Sequence, residues 1–296
     1  MTWRATGKAI LCGEHFVVHG APAIALPLPG LVLELARSST SDARRPTPDA
    51  RLVGAWSRAR EALGLAPARD FPFDIRSTIP QGAGLGSSAA LSVARGGAAA
   101  DEAGASLLPA EVVAAATRVE LAFHGRSSGL DPAVVALGTP IFWRGSGGFE
   151  SVTIDLTGHA ILVATVPGSR PTGDAVSRFA AFARDHASRF AGMRAEVTRL
   201  VREARSLLAG PDPAGRAGKL GGLLDRNHAL LAEAGVSTPA LDALAAASRR
   251  AGACGSKLSG AGLGGAVIAL VPDGGVNDVL DAMRREGATS AGTSRS

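Results

Sequence analysis

The stretch PQGAGLGSSAALSVA, residues 80–94, places glycine at three alternate positions and follows them with two serines and an alanine-rich run. The glycines allow positive φ angles and let a ligand or a second backbone come close. Ser87 and Ser88 then stand where the start of a helix favours a hydroxyl N-cap. Free N–H groups and the positive end of the helix dipole at such a start favour an anion, most often a phosphate. The stretch predicts either a phosphate loop or a tight turn capped by serine.

Composition and charge narrow the range of partners. The chain of 296 residues is 46% hydrophobic and 19% charged, which describes a globular protein with ample core material. The net charge of +5 could suggest nucleic acid, but the arginines are scattered and no basic run is interleaved with aromatic residues. We therefore expect no nucleic-acid partner, and an anionic small substrate explains the positive charge as well.

Cysteine use and apolar patterning predict the compartment. Two cysteines, Cys12 and Cys254, form no disulfide framework and no C-x-x-C pair. The apolar residues near the N-terminus are interrupted by Glu14 and His15, unlike a signal peptide. The segment APAIALPLPGLVLEL carries three prolines and is unsuited to a membrane span. The expectation is a cytoplasmic protein with no membrane association.

Hydrophobic periodicity outlines the organisation of the chain. Short strands broken by glycine and proline are predicted first, then a polar loop over 37–51, and a strand over 71–80 that leads into the glycine loop. The predicted helices cover residues 87–103, 110–124, 173–209, 219–233 and 238–252. Gly192 is expected to break the longest of them. A change in composition near residue 156 predicts two domains, 1–156 and 157–296.

Two common glycine-loop classes do not fit. The string G-x-x-x-x-G-K-[ST] of the P-loop proteins is absent. A literal G-x-G-x-x-G does occur at Gly260, Gly262 and Gly265, but it follows a predicted helix and opens a strand. A dinucleotide-binding loop needs the reverse order. The loop at 80–88 has strand and helix in that order with the spacing G-x-G-x-G-S-S, so it is a different kind of phosphate loop.

Three motifs carry a specific resemblance. GKAILCGEHFVVHGAPAIALPL (7–28), PQGAGLGSSAALSVA and GSKLSGAGLGGAVIAL (255–270) resemble the three motifs of the GHMP kinases, in the order and spacing of that family. Within it, GEHFVVHG is similar to the first motif of the mevalonate kinases. RVELAFHGRSSGLDPAVVALG (118–138) and LLDRNHALLAEAGVSTPALDAL (223–244) also resemble segments of that group.

The resemblance implies a fold, a reaction and its ligands. The fold is α+β with two domains, an N-terminal β/α domain like that of a ribosomal protein and a ferredoxin-like C-terminal domain. The reaction is transfer of a phosphoryl group from ATP to the 5-hydroxyl of mevalonate with Mg²⁺, giving 5-phosphomevalonate and ADP. The oligomeric state considered for the protein is a homodimer. The alternatives are a sister kinase acting on homoserine, phosphomevalonate or a related alcohol, and a non-catalytic nucleotide-binding regulator.

The family resemblance implies that two residues are catalytic. The resemblance makes Asp131 the carboxylate that takes the proton of the mevalonate hydroxyl. Its alternative role is a helix N-cap with Pro132 at the first helical position. The resemblance places Lys8 beside Asp131, where an ammonium group holds the carboxylate ionised and stabilises a developing alkoxide. The alternative for Lys8 is a surface lysine at the start of a strand.

The resemblance also implies which residues bind the phosphates, the metal and the alcohol. The phosphate-binding loop comprises Gly82, Ala83, Gly84, Leu85, Gly86, Ser87 and Ser88. Glu120 and Ser88 are the expected Mg²⁺ ligands, with Ser87 as the alternative hydroxyl. Glu120 could instead pair with His124 on a solvated helix face. Glu14, His15 and Thr172 are expected to orient the alcohol, with core packing or turn hydrogen bonds as the alternative for the first two. The glycines of the third motif are expected to brace the phosphate loop.

Overall fold

The structure is a computed structural model of the chain. It describes residues 1–38, 49–124, 128–145, 148–168, 172–209 and 215–293, except for the side chains of residues 122–124 and 172. Most of the predicted loop at 37–51 therefore lies outside the described residues. Within the described residues the chain combines helices with two sheets, as the α+β prediction requires.

The first sheet has five strands among the described residues. They are β1 (Thr2–Cys12), β2 (Ala23–Arg37), β3 (Phe73–Ser77), β4 (Ile141–Trp143) and β5 (Phe149–Ser151). The order is β1-β2-β4-β5, and β3 also pairs with β2. The C-terminal half of β2 pairs antiparallel with β3, with Leu35 opposite Ile75. The N-terminal half pairs antiparallel with β4, with Ile24 opposite Phe142. With β1 as its other neighbour, the long strand β2 pairs with three strands of this sheet.

The second sheet has four strands in the described part of the chain. They are β6 (His159–Val166), β7 (Gly255–Ser259), β8 (Gly265–Pro272) and β9 (Ser290–Thr293), in the antiparallel order β7-β8-β6-β9. Helices connect β6 to β7 and β8 to β9, while β7 and β8 follow each other directly. This connectivity and strand order match the ferredoxin-like domain expected from the sequence. Residues 290–293 supply the last strand, β9, in which Gly292 lies opposite Val163 of β6.

The helices occur between the strands in chain order. They are α1 (Ala50–Glu61), α2 (Ser87–Ala103), α3 (Pro109–His124), α4 (Leu130–Leu137), α5 (Thr172–Asp185), α6 (Ala187–Ala209), α7 (Arg216–Glu233), α8 (Pro239–Arg250) and α9 (Val276–Arg285). A short 3₁₀ helix, Phe16–His19, follows β1. No helix among the described residues combines the length and the apolar character needed to cross a membrane.

The chain divides into two compact units that exchange segments. Unit 1 comprises Met1–Gly7, Leu31–Ile79 and Gly86–Gly138, and unit 2 comprises Lys8–Gly30, Pro80–Leu85 and Thr139–Ser296. Strands β1 and β2 and the glycine loop each pass from one unit into the other. The domain boundary near residue 156 stays a prediction.

Each unit has its own buried core. In unit 1 the ring of Trp56 packs edge-on against Phe73 with centroids 4.8 Å apart, and the guanidinium of Arg95 lies 5.1 Å from the centre of the Phe71 ring. In unit 2 the apolar residues of β6 and β8 are almost completely buried. Aromatic packing of this kind contributes more than area burial alone.

The helical region after residue 172 corrects one prediction. Gly192 lies inside α6, and the break falls instead at His186 between α5 and α6. Glycine costs about 1 kcal/mol in a helix interior but does not forbid helical φ and ψ. The face of α6 that carries Phe190, Met193 and Val197 is buried, and this packing offsets the cost.

Candidate active site

The glycine loop between β3 and α2 adopts the predicted positive φ angles. Gly82, Gly84 and Gly86 have φ of 69°, 74° and 83°. The serine cap does not form: Gly86 is the N-cap of α2 without a side-chain capping bond, and Ser87 and Ser88 are the first two helical residues. A glycine cap keeps bulk away from the first turn of the helix, where N–H groups and the helix dipole favour an anion.

The third motif braces this loop by direct backbone contact in unit 2. A Cβ built on Gly84 would lie 2.9 Å from the Cα of Gly260, and one built on Gly260 would lie 2.6 Å from the Cα of Gly84. A Cβ on Gly265 would lie 2.8 Å from the carbonyl oxygen of Ala83. Real Cβ atoms do not approach backbone so closely, so these contacts require glycine. The predicted brace is therefore present, and it is made of main chain.

Lys8 lies on β1 next to the loop. Its backbone N–H donates to the carbonyl of Leu85 at 3.0 Å, and its side chain is only 2% exposed. Two residues further on, the N–H of Ile10 donates to the hydroxyl of Ser259 at 3.0 Å, and that hydroxyl donates to the carbonyl of Ile10 at 3.1 Å. Burial of an ammonium group on a strand argues against the surface-lysine alternative. In unit 2, β1 is thus fixed to both glycine motifs.

The turn after β1 carries Glu14 and His15. The N–H of Gly13 donates to the side-chain oxygen of Asn227 at 3.1 Å, which fixes the start of the turn. Glu14 is 1% exposed and forms an ion pair with Lys257. Burial raises the pKa of the Glu14 carboxyl, and the ammonium of Lys257 opposes the rise. Glu14 therefore contacts the third motif; its contact with an alcohol stays a prediction.

His15 is neutral and held in one tautomer. Its Nε2–H donates to the carbonyl of Ala261 at 2.8 Å, and its ring stacks on Phe179 with centroids 4.8 Å apart. Burial lowers the pKa of His15 to about 4. Because a carbonyl only accepts, the proton is on Nε2, and Nδ1 presents a lone pair that can accept a hydrogen bond. His15 also has a φ of 58°, a strained conformation for a residue that is not glycine.

The two predicted carboxylates lie in unit 1. Glu120 is on α3 and is 6% exposed, which argues against the solvated-face alternative. Asp131 is in the first turn of α4, where Gly129 is the N-cap, so Asp131 does not occupy the cap position. Both helices pack against α2, which begins with Ser87 and Ser88. The two helices that carry these carboxylates thus both pack against the helix that follows the glycine loop.

The predicted site residues are divided between the two units. Lys8, Glu14, His15 and the loop up to Leu85 belong to unit 2, while Gly86, both serines, Glu120 and Asp131 belong to unit 1. The chain joins the two sets at the peptide bond between Leu85 and Gly86. The proximity of Lys8 to Asp131 stays a prediction. Thr172 begins α5, but its side chain lies outside the described residues.

Sequence reasoning missed three buried polar residues beside these elements. Lys257, Ser259 and Asn227 each hold the first motif through a side-chain bond. One signal was available for Lys257: it is one of three lysines in a chain that otherwise uses arginine. A lysine kept in such a chain indicates a place for a compact ammonium group. In the described part of the chain, no three or more His, Cys, Asp or Glu side chains gather to hold a metal ion.

The glycine loop leads into α2, and a second glycine-rich segment that precedes β8 of the ferredoxin-like sheet holds it. This arrangement is typical of the small-molecule kinases, which bind phosphate at such a loop. Residues 50–139 match the model of the GHMP kinases N terminal domain, and residues 201–289 match that of the GHMP kinases C terminal domain. The chain is 35% identical to the mevalonate kinase of Thermococcus sibiricus, over 91% of this chain and 88% of that protein. The chain belongs to the GHMP kinases.

Solved structures confirm the two-domain fold. The L. major mevalonate kinase in complex with R-mevalonate superposes with a TM-score of 0.80 at 25% identity, covering 99% of this chain and 94% of that one. Lactococcus lactis galactokinase complexed with galactose superposes with a TM-score of 0.78 at 20% identity, covering 99% and 92%. The fold is therefore shared by kinases of different alcohols, and it does not by itself identify the acceptor.

The backbone contact between Gly84 and Gly260 gives a testable stability difference. Gly84 and Gly64 have the same φ of +74°, but nothing lies within 4 Å of a Cβ built on Gly64. We expect Gly64→Ala to lose about 1–2 kcal/mol from the left-handed conformation alone. Gly84→Ala should lose about 1–3 kcal/mol more, because the backbone of Gly260 must move. Urea unfolding of both variants measures the difference, and equal losses would contradict the brace.

Proposed function

We propose that this protein transfers the γ-phosphoryl group of ATP to the 5-hydroxyl of mevalonate, giving 5-phosphomevalonate and ADP. The observation that carries the proposal is the 35% identity to a mevalonate kinase over 91% of the chain. The L. major mevalonate kinase, which shares the fold, was solved in complex with R-mevalonate, and this supports the same acceptor. The homodimer stays a prediction.

Phosphoryl transfer depends on positioning and charge neutralisation more than on covalent chemistry. In the proposed reaction Asp131 accepts the proton of the 5-hydroxyl as that oxygen bonds to the γ-phosphorus. The bond from the γ-phosphorus to the bridging oxygen breaks, and ADP leaves. Lys8 stabilises the developing negative charge on the attacking oxygen. The main-chain N–H groups of the loop and of the start of α2 receive the phosphates.

The turn at 13–16 is proposed to meet the alcohol. The neutral His15 offers Nδ1 as an acceptor, and a hydroxyl group of the alcohol is the complementary donor. Glu14 and Thr172 are proposed for the same side of the substrate on the family resemblance. A carboxylate substrate also suits the positive net charge of the chain.

Mg²⁺ is proposed to bind with the nucleotide at Ser88 and Glu120. The donor set fits, because a hydroxyl and a carboxylate are the hard oxygen ligands that Mg²⁺ prefers, and it commonly uses few protein groups beside phosphates. Glu120 is buried on α3, and α3 packs against α2, whose second residue is Ser88. When bound, the ion neutralises phosphate charge. Glu120 and Ser88 hold it in place.

The acceptor is tested by ADP release with a panel of alcohols. We expect kcat/KM for mevalonate to exceed the values for phosphomevalonate, homoserine and galactose by about 10²-fold or more, because unpaired buried polar groups penalise the wrong alcohol. A coupled assay with each alcohol at saturating ATP measures this. A higher value for another member of the panel would assign the protein to that acceptor instead.

Asp131→Asn tests the proposed base. The substitution keeps the size of the side chain but removes its charge, so turnover should fall about 10²–10⁴-fold, while ATP and mevalonate bind within a few-fold of wild type. Single-turnover rates and calorimetry measure the two effects. Lys8→Met should also lower turnover, and the double variant should lose less than the product of the single losses, because residues that act as a unit are not additive.

Asp278→Asn is the matched control for this prediction. Asp278 also lies in the first turn of a helix, α9, so it shares the interaction with the helix dipole and none of the proposed chemistry. Wild-type turnover in Asp131→Asn would contradict the assignment of the base. Strictly multiplicative losses in the double variant would contradict the coupling to Lys8.

Glu120→Gln tests the proposed metal ligand. The variant loses an anionic oxygen, so the Mg²⁺ concentration for half-maximal turnover should rise about tenfold or more, while circular dichroism is unchanged. Glu111→Gln on the same helix is the control, because Glu111 is exposed and its side chain only caps the N–H of Leu108. Titration of Mg²⁺ at fixed ATP measures both variants. If Glu120→Gln has the same Mg²⁺ concentration for half-maximal turnover as the wild type, Glu120 is not a ligand of the ion.

A further inference from the structure

A buried ion pair in unit 2 joins the first motif to the third. Lys257 on β7 is fully buried, with 0% of its side chain exposed, and its Nζ contacts a carboxylate oxygen of Glu14. The same ammonium donates to the carbonyl of Leu258 at 2.5 Å and lies 3.4 Å from the carbonyl of Ile10. These three acceptors match the three N–H donors of a lysine. Lys257 is therefore fully committed to the protein and is not available to a substrate.

Burial of this ion pair is unfavourable for the stability of the fold. Taking two charges out of water carries a desolvation penalty, and well-packed apolar residues in such places are often as stable or more stable. The second carboxylate oxygen of Glu14 is also buried and makes no hydrogen bond within the described structure. A buried polar atom left in this state indicates a constraint other than stability.

The turn that the pair holds is the one that carries His15. Residue 14 is tied to Lys257, and residue 15 is tied to Ala261 through Nε2–H. Both anchors belong to one segment of five residues, 257–261. Between them His15 keeps a positive φ of 58°, a conformation that persists only where the surroundings enforce it. The ring of His15 and the residue before it are thus both held by this segment.

We propose that Lys257 is a positioning residue for the acceptor alcohol, acting through Glu14 to hold the 13–16 turn and the ring of His15. The proposal rests on the proposed function for the identity of the alcohol. The phosphate loop is held differently, because its contacts with Gly260 and Gly265 are between main-chain atoms and do not involve Lys257. Lys257 therefore acts on one of the two substrates and leaves the nucleotide side in place.

The kinetic test compares Lys257→Met with Arg216→Met. Met keeps the length of the side chain and removes the charge. Arg216 is the matched control, because it too is a buried cation of unit 2, paired with Asp155 at 2.9 Å and remote in sequence from all three motifs. For Lys257→Met we expect kcat/KM for mevalonate to fall about 10–100-fold, as for a misplaced contact. KM for ATP should stay near that of the wild type. Arg216→Met should lower thermal stability without lowering kcat/KM for mevalonate selectively.

A second readout does not depend on catalysis. In wild type the Nε2 proton of His15 is buried and hydrogen-bonded, so it should give a slowly exchanging signal in a ¹H–¹⁵N spectrum. The signal is assigned by its absence in His15→Gln. It should disappear in Lys257→Met and remain in Arg216→Met. If Lys257→Met does not fold, Lys257→Gln keeps two N–H donors without the charge, and the same criteria apply to it.

The outcomes separate the two proposals. If the wild type phosphorylates none of the alcohols, the proposed function fails, and the signal of His15 alone decides whether Lys257 holds the turn. If the wild type phosphorylates mevalonate, equal losses in Lys257→Met and Arg216→Met overturn the positioning role. Parallel rises of KM for ATP and mevalonate, or a persistent His15 proton signal in Lys257→Met, overturn it as well.

Discussion

The close approach of two main chains, at Gly84 and Gly260, is the constraint on which the rest of unit 2 depends. Neither position has room for a Cβ, and both residues have a positive φ. The path of the phosphate loop is therefore set by the start of β8 and the end of β7. The end of β7 anchors β1 through Ser259, and the connection from β7 to β8 anchors the 13–16 turn through Ala261. One short stretch of the third motif thus positions the other two motifs.

Local features of the site and fold could be predicted from the sequence. The order of strand, glycine loop and helix, the positive φ angles and the helix that begins at Ser87 all follow from glycine and from apolar periodicity. Two local predictions were wrong, one for a local reason and one because of tertiary packing. The cap of α2 is Gly86 and not serine, since its left-handed conformation already sets the entry to the helix. Gly192 is carried inside α6, because a buried apolar face outweighs its propensity.

The pairings across the chain could not be predicted. Nothing in the spacing around Glu14 indicates that its partner is Lys257, nor that Asn227 holds Gly13, because such contacts depend on the tertiary fold. The charge state of His15 follows from burial and was equally hidden. Residue types and motif order identify the family. The tautomer, the ion pair and the backbone contacts that fix the side chains come only from the structure.

The contacts that order unit 2 also determine when it can form. Ile10 and Ser259 are 249 residues apart in sequence, Glu14 and Lys257 are 243 apart, and Gly13 and Asn227 are 214 apart. Closing such long loops lowers the entropy of the chain before the contact that stabilises them has formed. Chains dominated by contacts between distant residues therefore fold slowly. We therefore expect the turn at 13–16 to acquire its native anchors only when residues near 260 are in place. A chain interrupted before that point retains the motif in its sequence and lacks its geometry.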